Sequence, residues 1–270
     1  MIAPEVSRSP LRWAGSKRKL VPTLERLAPA RFKRYVEPFC GSLCLYVALK
    51  PTSALVGDIN EELVNFYRMI AWRPKAIANA IHDLSEDEAT YYELRSHDPH
   101  TLGQQARAVR FLYLNRFCFN GVYRTNRQGQ FNVARGKHMG RIPPIQELIE
   151  FGRLMRRATV RQCDFQELVD AAERGDFLYL DPPYAGRGVR DRGEYGVGAF
   201  KEEDLDRLSE SLHRASARGV KVLLSYADLP DIRSRFHNWN VTKLEIARNV
   251  AGFASARSSV SELILRNYSE

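Results

Sequence analysis

The chain has 270 residues, 44% of them hydrophobic, which is enough for one domain with a large insertion or two small domains around a full apolar core. Lys and Arg number 41 against 32 Asp and Glu, and the resulting net charge of +9 fits a polyanionic partner such as DNA. No window approaches 18 apolar residues and no apolar leader opens the chain, so we expect neither a membrane span nor a signal peptide.

The first predicted unit alternates strand and helix around a glycine. Residues 34–38 and 54–56 favour two buried strands, separated by a tight turn at 39–42 and a helix from Leu43. The second strand ends in Asp58, an acid that can hold ribose hydroxyls in a nucleotide-binding α/β unit. Because only one glycine marks the turn and Leu43 stands where a second is often found, an ordinary β-turn-α unit is the alternative.

An insert of helices and one hairpin is predicted next. Residues 60–118 favour helix throughout, with Asn60 as the N-cap and apolar residues at helical spacing. Residues 120–133 alternate around a glycine-bearing turn, which is typical of a β-hairpin. The charged side chains of this region are almost all basic: Arg116, Arg124, Arg127, Arg135, Lys137 and Arg141.

The remainder of the chain returns to alternating strands and helices. A helix begins near Pro144, and the segment 185–198 is predicted to be a mobile loop because it is rich in glycine and lacks periodicity. The other predicted helices cover residues 165–174 and 201–218, and the predicted strands cover residues 159–163, 177–180, 220–225, 241–246 and 261–266.

The tetrapeptide Asp181-Pro182-Pro183-Tyr184 follows the buried run 177–180 and carries the most specific chemistry. The amine of a planar base is a poor nucleophile until hydrogen-bond acceptors engage its protons. Asp181 and the carbonyl of Pro182 can be those acceptors, because the two prolines fix the backbone and bring no N–H of their own. Tyr184 can stack on the base, which must leave its duplex. An exocyclic amine is therefore the predicted methyl acceptor; a simple turn after a buried strand is the alternative.

The cysteines indicate neither a disulfide framework nor a metal site. Cys40 and Cys44 are four residues apart, but no matching Cys/His pair follows, and the other two cysteines, Cys118 and Cys163, are isolated. We therefore expect reduced thiols in a cytoplasmic protein without a metal.

Seven short segments, in order, resemble the Dam-type, D12 class DNA adenine-N6 methyltransferases. They lie at 11–17 (LRWAGSK), 37–42 (EPFCGS), 58–60 (DIN), 115–121 (NRFCFNG), 129–133 (GQFNV), 163–165 (CDF) and 181–184 (DPPY). The resemblance covers essentially the whole chain and implies a bacterial or phage-encoded enzyme.

The resemblance implies an α/β fold, with a Rossmann-like S-adenosylmethionine-dependent methyltransferase sheet and an inserted helical and β-hairpin DNA-recognition domain. Residues 1–59 and 142–270 would form the catalytic domain and 60–141 the recognition domain. Matching positions assign the cofactor to Trp13, Lys17, Phe39, Gly41, Asp58, Ile59, Asp164, Phe165 and Asp181. Among these, Phe39 and Gly41 would line its methionine end, Asp58 its ribose, and Asp164 with Phe165 its adenine.

The same resemblance implies double-stranded DNA as the partner of the insert. Arg124 could bind a guanine through O6 and N7, and Phe119 could fill the space that the target base leaves. Arg127, Arg135 and Lys137 suit phosphate contacts. The full set of predicted DNA contacts is Arg116, Phe119, Asn120, Val122, Arg124, Asn126, Arg127, Arg135 and Lys137.

The predicted reaction is direct methyl transfer from S-adenosylmethionine to N6 of a flipped adenine, leaving S-adenosylhomocysteine. Asp181 and Pro182 would polarise the amine and Tyr184 would stack on the ring. Cytosine-N4 methylation, methylation of RNA or of a protein glutamine, and a catalytically silent DNA-binding protein are the alternatives. GATC is the first expectation for the recognition sequence, and a monomer is expected without excluding a dimer on DNA.

Overall fold

A seven-stranded mixed sheet forms the centre of the computed structural model, which describes residues 8–126, 128–137, 139–185, 200–246 and 260–269. The sheet order is β3-β2-β1-β4-β5-β7-β6. The strands are β1 (Tyr35–Glu37), β2 (Ala54–Asp58), β3 (Ala158–Gln162), β4 (Phe177–Leu180), β5 (Lys221–Ala227), β6 (Asn240–Ile246) and β7 (Val260–Arg266).

Strands β1 to β5 pair in parallel, whereas β7 runs antiparallel to both of its neighbours, β5 and β6. The first strand along the chain, β1, lies in the middle of the sheet. Strands β2 and β3 follow on one side of it, and β4 then pairs with its other side. That reversal opens a crevice at the carboxyl ends of β1 and β4, where ligands bind in open α/β sheets. The expected α/β class is confirmed, and the sheet is consistent with the Rossmann-like methyltransferase fold.

Ten α-helices lie in the described residues. They are α1 (Val21–Leu27), α2 (Cys44–Leu49), α3 (Glu61–Trp72), α4 (Pro74–His82), α5 (Glu88–Ser96), α6 (Gln104–Phe117), α7 (Ile145–Met155), α8 (Phe165–Asp170), α9 (Glu202–Ala217) and α10 (Pro230–Arg235).

The core has two halves because successive strand residues point to opposite faces of the sheet. On β4, Phe177 and Tyr179 join the apolar cluster that includes α3, α6 and α7, while Leu178 and Leu180 join the cluster that includes α8 and α9. The helices between β2 and β3 thus share one continuous apolar cluster with one face of the sheet.

The predicted helical stretch 60–118 is broken into shorter helices. The Asn60 side chain caps α3 by accepting from the Leu63 amide at 3.1 Å, as predicted. Helix α3 ends before Pro74, which begins α4 because proline suits a first helical turn and cannot continue a helix. The predicted helix at 165–174 also ends early, at Asp170; there the Val169 carbonyl accepts from the Ala172 amide and from the Arg218 guanidinium.

The arms of the predicted hairpin at 120–133 run antiparallel, but within the described residues they pair through isolated bridges and form no regular strands. Two isolated antiparallel bridges, Cys118 with Arg135 and Thr125 with Phe131, bring its arms together. The turn between them is closed by the Asn126 side chain, which accepts from the amides of Gln128 and Gln130 at 3.0 Å. Side-chain bonds of this kind compete with ladder pairing.

In the part of the chain that the structure describes, no helix combines the length and the apolar character needed to cross a membrane. The predicted loop at 185–198 lies outside the described residues, apart from Ala185.

Candidate active site

The tetrapeptide 181–184 begins directly after β4, at the carboxyl end of the parallel strands. Asp181 Oδ1 lies 2.7 Å from Lys17 Nζ. The same ammonium lies 3.4 Å from Glu262 Oε1 on β7 and donates to the Gly15 carbonyl at 3.2 Å. Lys17 is 9% exposed and belongs to a short 3₁₀ helix. One buried cation therefore joins an acid of β7 to the acid of the motif.

Tyr184 is held from two neighbouring strands. Its hydroxyl donates to Glu262 Oε1 at 2.6 Å, and its ring lies 5.1 Å from the ring of Tyr226 on β5. The Tyr226 hydroxyl in turn accepts from the Ala185 amide at 2.8 Å. Lys17 Nζ lies 5.4 Å from the centre of the Tyr184 ring. The aromatic side chain and the exit of the motif are thus fixed relative to Asp181.

The site concentrates carboxyl groups in a buried region. Burial raises the pKa of Asp181; Lys17 opposes this shift and the Glu262 carboxylate adds to it. Burial also raises the pKa of Glu37, at the end of β1, well above its ordinary value, although the Tyr35 hydroxyl donates to it at 2.8 Å. The carboxyls of Asp181 and Glu262 share Lys17, so the motif's acid is only partly neutralised.

A glycine turn after β1 forms the second part of the site. Gly41 has φ of +40°, and an added Cβ would lie 3.0 Å from Cδ1 of Trp13. A side chain at this position would therefore strike the indole, and the backbone itself favours glycine. Leu43 also adopts a left-handed backbone, with φ of 53°, and its side chain is buried. Leu43, which stands where a second glycine is often found, thus adopts a backbone conformation that favours glycine.

Asp58 closes the other side of this turn, at the end of β2. Its Oδ2 accepts from the Gly41 amide at 3.2 Å and its Oδ1 from the Asn60 amide at 3.0 Å. Burial raises the pKa of Asp58 to about 6, and these amide bonds oppose the shift. The neighbouring Ile59 is 67% exposed, an unusual state for a large apolar side chain beside a half-buried acid.

An aromatic wall lies between the ends of β1 and β3. Phe39 stacks on Phe165 with ring centres 5.3 Å apart, and Phe200 contacts both rings. Asp164 begins α8 by accepting from the Gln166 amide at 2.9 Å, and the same oxygen, Oδ1, lies 2.7 Å from Arg207. The predicted cofactor residues Phe39, Asp164 and Phe165 thus lie after the ends of β1 and β3, the two strands that flank β2.

The segment that carries Trp13 and Lys17 is tied to the end of α6. Buried Asn115 accepts from the Arg12 amide at 2.9 Å and donates to the Arg12 carbonyl at 2.5 Å. Arg116 also holds this segment, because its guanidinium donates to the carbonyls of Pro10 and Arg141. Burial lowers the pKa of Arg116 to about 10, and neighbouring arginines add to the shift. Its predicted DNA contact stays a prediction.

Phe119 and Asn120 form an exposed tip directly after α6. Phe119 is 54% exposed while its amide is anchored to the Ala134 carbonyl at 2.9 Å. Asn120 is exposed with φ of +54°, a left-handed conformation that asparagine tolerates. Val122 is half-buried, and its carbonyl accepts from the Cys118 thiol. An apolar ring on a fixed backbone thus projects into solvent.

The side chains of the remaining predicted DNA contacts differ in their exposure and in their hydrogen bonds within the chain. Arg124 is exposed and donates to Asn132 at 2.9 Å, and Lys137 is exposed. Arg135 donates to the Glu86 carbonyl at 2.6 Å, and the Asn126 side chain accepts from the backbone amides that close the turn. Arg127 lies outside the described residues.

Two parts of the site were missed from the sequence. Glu262 lies within the apolar run of β7, and Tyr226 lies at the end of β5. A lone acid inside a predicted buried strand was the available indication for Glu262, since charged residues are almost never fully buried unless paired.

Two surface cavities, of about 460 and 420 Å³, lie elsewhere and share Trp72 and Arg156. They contain none of the predicted site residues. Among the described residues, no group of three or more His, Cys, Asp or Glu side chains is arranged to hold a metal ion.

Comparison with known proteins identifies relatives along nearly the whole chain. The family model of the D12 class N6 adenine-specific DNA methyltransferases matches residues 13–250. The type II methyltransferase M1.LlaDCHI of Lactococcus lactis subsp. cremoris is 32% identical over 95% of this chain and 94% of its own length. The retron Ec67 DNA adenine methylase of Escherichia coli is 32% identical over 94% of this chain and 89% of its own length. The DNA N-6-adenine-methyltransferase of Escherichia phage P1 is 31% identical over 97% of this chain and 36% of its own length.

The anchoring of the amino-terminal segment gives a first prediction. Asn115→Ala removes the amide that serves both backbone groups of Arg12, and the loss of buried partners should lower the free energy of unfolding by about 2–3 kcal/mol. Trypsin should then cleave faster within residues 12–19 than in the rest of the chain. Urea unfolding and timed proteolysis measure the two effects.

The matched control is Asn65→Ala, which deletes an exposed amide that donates to Gln104. It should change the stability by less than about 0.5 kcal/mol. Equal stability of the two variants would contradict the anchoring role of Asn115.

Proposed function

This chain belongs to the D12 class of N6 adenine-specific DNA methyltransferases, and we propose that S-adenosylmethionine is its methyl donor and an adenine flipped out of duplex DNA its acceptor. The observation that carries this proposal is the placement of Asp181 beside the glycine turn at the carboxyl ends of β4 and β1. Family membership sets aside the cytosine-N4, RNA, protein-glutamine and catalytically silent alternatives.

The motif suits an exocyclic amine because it presents acceptors. We assign the two protons of the adenine N6 amine to the Asp181 carboxylate and the Pro182 carbonyl. Neither Pro182 nor Pro183 brings an amide hydrogen that would compete for these acceptors. Tyr184, fixed by Glu262 and Tyr226, offers its ring as the stacking partner of the flipped base.

The residues around the glycine turn fit S-adenosylmethionine. When bound, this molecule supplies an electrophilic methyl group on a positively charged sulfur. Gly41 permits close approach of the backbone, Gly41 and Phe39 would line the methionine end of the cofactor, and Trp13 and Lys17 would border it. We assign the ribose hydroxyls to the Asp58 carboxylate, and exposed Ile59 offers apolar cover for the cofactor. The partly neutralised carboxylates near Lys17 complement a cationic ligand.

The adenine of the cofactor is assigned to the end of β3. Both described contacts of Asp164 use Oδ1, so we assign its Oδ2 to the adenine amine. Phe165, stacked on Phe39, would then lie against the base.

Most of the rate enhancement is expected from two sources that need no covalent enzyme intermediate. Binding both reactants in line converts a bimolecular step into a unimolecular one. The Asp181 carboxylate then stabilises the positive charge that develops on N6, in a buried region where such an interaction is strong.

The DNA-binding residues are assigned to the insert, which we place at residues 60–141 between the catalytic segments 1–59 and 142–270. Exposed Phe119 suits the space that the flipped adenine leaves. Exposed Arg124 suits a guanine edge, and Lys137 and Arg135 suit phosphates. Arg116, Asn120, Val122, Asn126 and Arg127 complete the proposed surface. A monomer is sufficient for this arrangement.

The role of Asp181 gives the second prediction. Asp181→Ala should lower kcat at least about 10²- to 10³-fold, because the developing charge on N6 loses its carboxylate. The variant should fold and bind DNA, since Lys17 retains Glu262. Incubation of unmethylated plasmid with labelled S-adenosylmethionine, followed by nucleoside digestion, measures transfer to adenine.

Asp170→Ala is the matched control, because Asp170 is exposed and lies 3.5 Å from a single arginine, Arg214. It should leave transfer unchanged. Wild-type turnover in Asp181→Ala would remove Asp181 from the mechanism, and label in cytosine would overturn the choice of acceptor.

The raised pKa of Asp58 gives the third prediction. An ionised carboxylate accepts from both ribose hydroxyls, so cofactor affinity should be constant well above pH 6 and should fall as the pH drops through about 6. Because Asp58 takes up one proton when the cofactor dissociates, the affinity for the cofactor should fall about tenfold per pH unit at pH values well below 6. Calorimetric titration with S-adenosylmethionine between pH 5 and 8 measures it.

Asp58→Asn should bind the cofactor more weakly at every pH and lose the transition near pH 6. An unchanged transition in this variant would assign the pH dependence to another group.

The exposed guanidinium of Arg124 gives the fourth prediction. We expect methylation within GATC, and Arg124→Ala should relax discrimination at one guanine by about 5- to 150-fold, the value of a bidentate base contact. Lys137→Ala should instead weaken binding to all sequences and reduce its salt dependence. Single-molecule sequencing of a methylated plasmid gives the sites for each variant. If Arg124→Ala methylated the same sequences as the wild type, Arg124 would be excluded as the guanine contact.

A further inference from the structure

Glu262 is a buried acid that none of the sequence motifs includes. It lies on β7 opposite Ala227 of β5, and it is 3% exposed. Its Oε1 accepts from the Tyr184 hydroxyl at 2.6 Å and lies 3.4 Å from Lys17 Nζ. Within the described residues, its Oε2 is buried without a hydrogen-bond partner.

This arrangement makes the free energy of folding less favourable. A buried carboxylate needs an excellent geometry to offset the loss of its hydration, and an unsatisfied oxygen adds to that cost. Glu262 has one short hydrogen bond, while its cation lies closer to Asp181, at 2.7 Å, than to Glu262. A glutamine could accept the same hydrogen bond without the charge. The charge of Glu262 therefore calls for an explanation other than stability.

The contacts of Glu262 supply that explanation. Both of its partners belong to the reacting centre, because Tyr184 is the proposed stacking residue and Lys17 is the counter-ion of Asp181. An ammonium that faced Asp181 alone would neutralise the carboxylate that the acceptor amine needs. A second carboxylate on the same ammonium weakens that neutralisation.

We propose that Glu262 is a positioning residue for methyl transfer, which orients the Tyr184 ring and shares Lys17 so that the ionised Asp181 carboxylate remains a strongly basic hydrogen-bond acceptor for the amine. This inference rests on the function proposed above for Asp181 and Tyr184. Glu262 acts through those two residues and does not itself contact the base.

The electrostatics of Asp181 support this role. Lys17 from the amino-terminal segment and Glu262 from β7 act on the Asp181 carboxyl, and the other titratable groups around it are buried Glu37 on β1 and buried Tyr179 on β4. The Glu262 carboxylate raises the pKa of Asp181, and Lys17 lowers it. Since transfer needs ionised Asp181, kcat should fall as the pH drops through the pKa of Asp181. Removal of the charge at Glu262 should therefore move this acid limb to lower pH.

The test compares Glu262→Gln with the wild type in steady-state transfer to plasmid DNA across pH. The glutamine keeps the shape and an acceptor for Tyr184 but removes the charge. We expect plateau kcat to fall about 10- to 100-fold, KM for DNA to change much less, and the acid limb to move to lower pH. The melting temperature should be unchanged or higher, because a buried charge has been removed.

Two further variants separate the parts of the proposal. Glu245→Gln changes an exposed acid on the neighbouring strand β6 and should leave kcat and the pH profile unchanged. Tyr184→Phe removes the hydroxyl that Glu262 holds. If the two residues act together, the loss of kcat in the double variant Tyr184→Phe/Glu262→Gln should be smaller than the product of the two single losses.

Wild-type kcat in Glu262→Gln, an acid limb that does not move, or a loss of activity matched by a loss of stability would each overturn the positioning role. These outcomes are distinct from a failure of the proposed function, in which the wild type itself would place no methyl group on adenine in DNA.

Discussion

The site depends on one constraint, the position of a buried ammonium group between two carboxylates. Lys17 reaches Asp181 after β4 and Glu262 on β7, and its own segment is held to α6 by Asn115. Because a buried charge is stable only with its partners in place, these three parts of the chain must assemble together. The contact thus connects the parallel half of the sheet, its antiparallel edge and the helical insert.

The same contact sets the charge of the site. One ammonium serves two acids, so Asp181 is only partly neutralised, and burial raises the pKa of its carboxyl. Such a site favours a cationic methyl donor and a nitrogen that becomes positive during transfer. Tyr184 depends on the same network through Glu262, so the proposed stacking surface and the proposed acceptor are fixed by one set of bonds.

The sequence predicted what depends on local pattern and missed what depends on distant contacts. The strand and helix order, the Asn60 cap and the position of the motif after β4 follow from periodicity, capping and turn chemistry. Glu262 was missed because its partners lie 78 and 245 residues away in the chain. The arms of the predicted hairpin pair through isolated bridges rather than regular strands, and at the turn the Asn126 side chain accepts from two backbone amides.

The structure distinguishes exposed from engaged side chains among the predicted DNA contacts, which the sequence did not do. Phe119 could equally have been core or surface, and it is 54% exposed, whereas the guanidinium of Arg116 is engaged by two carbonyls of its own chain. Family membership fixes adenine N6 as the methylated atom. The geometry of Asp181, Tyr184 and Lys17 is the basis for assigning the roles of individual residues.

The most direct test is a crystal structure of the enzyme with S-adenosylhomocysteine and a duplex that contains its methylated sequence. The account predicts the N6 amine of a flipped adenine within hydrogen-bond distance of the Asp181 carboxylate and the Pro182 carbonyl. Tyr184 should stack on that base with its hydroxyl still on Glu262, and Lys17 should contact both acids. An adenine whose amine contacts neither acceptor, or a Lys17 that has left both carboxylates, would contradict it.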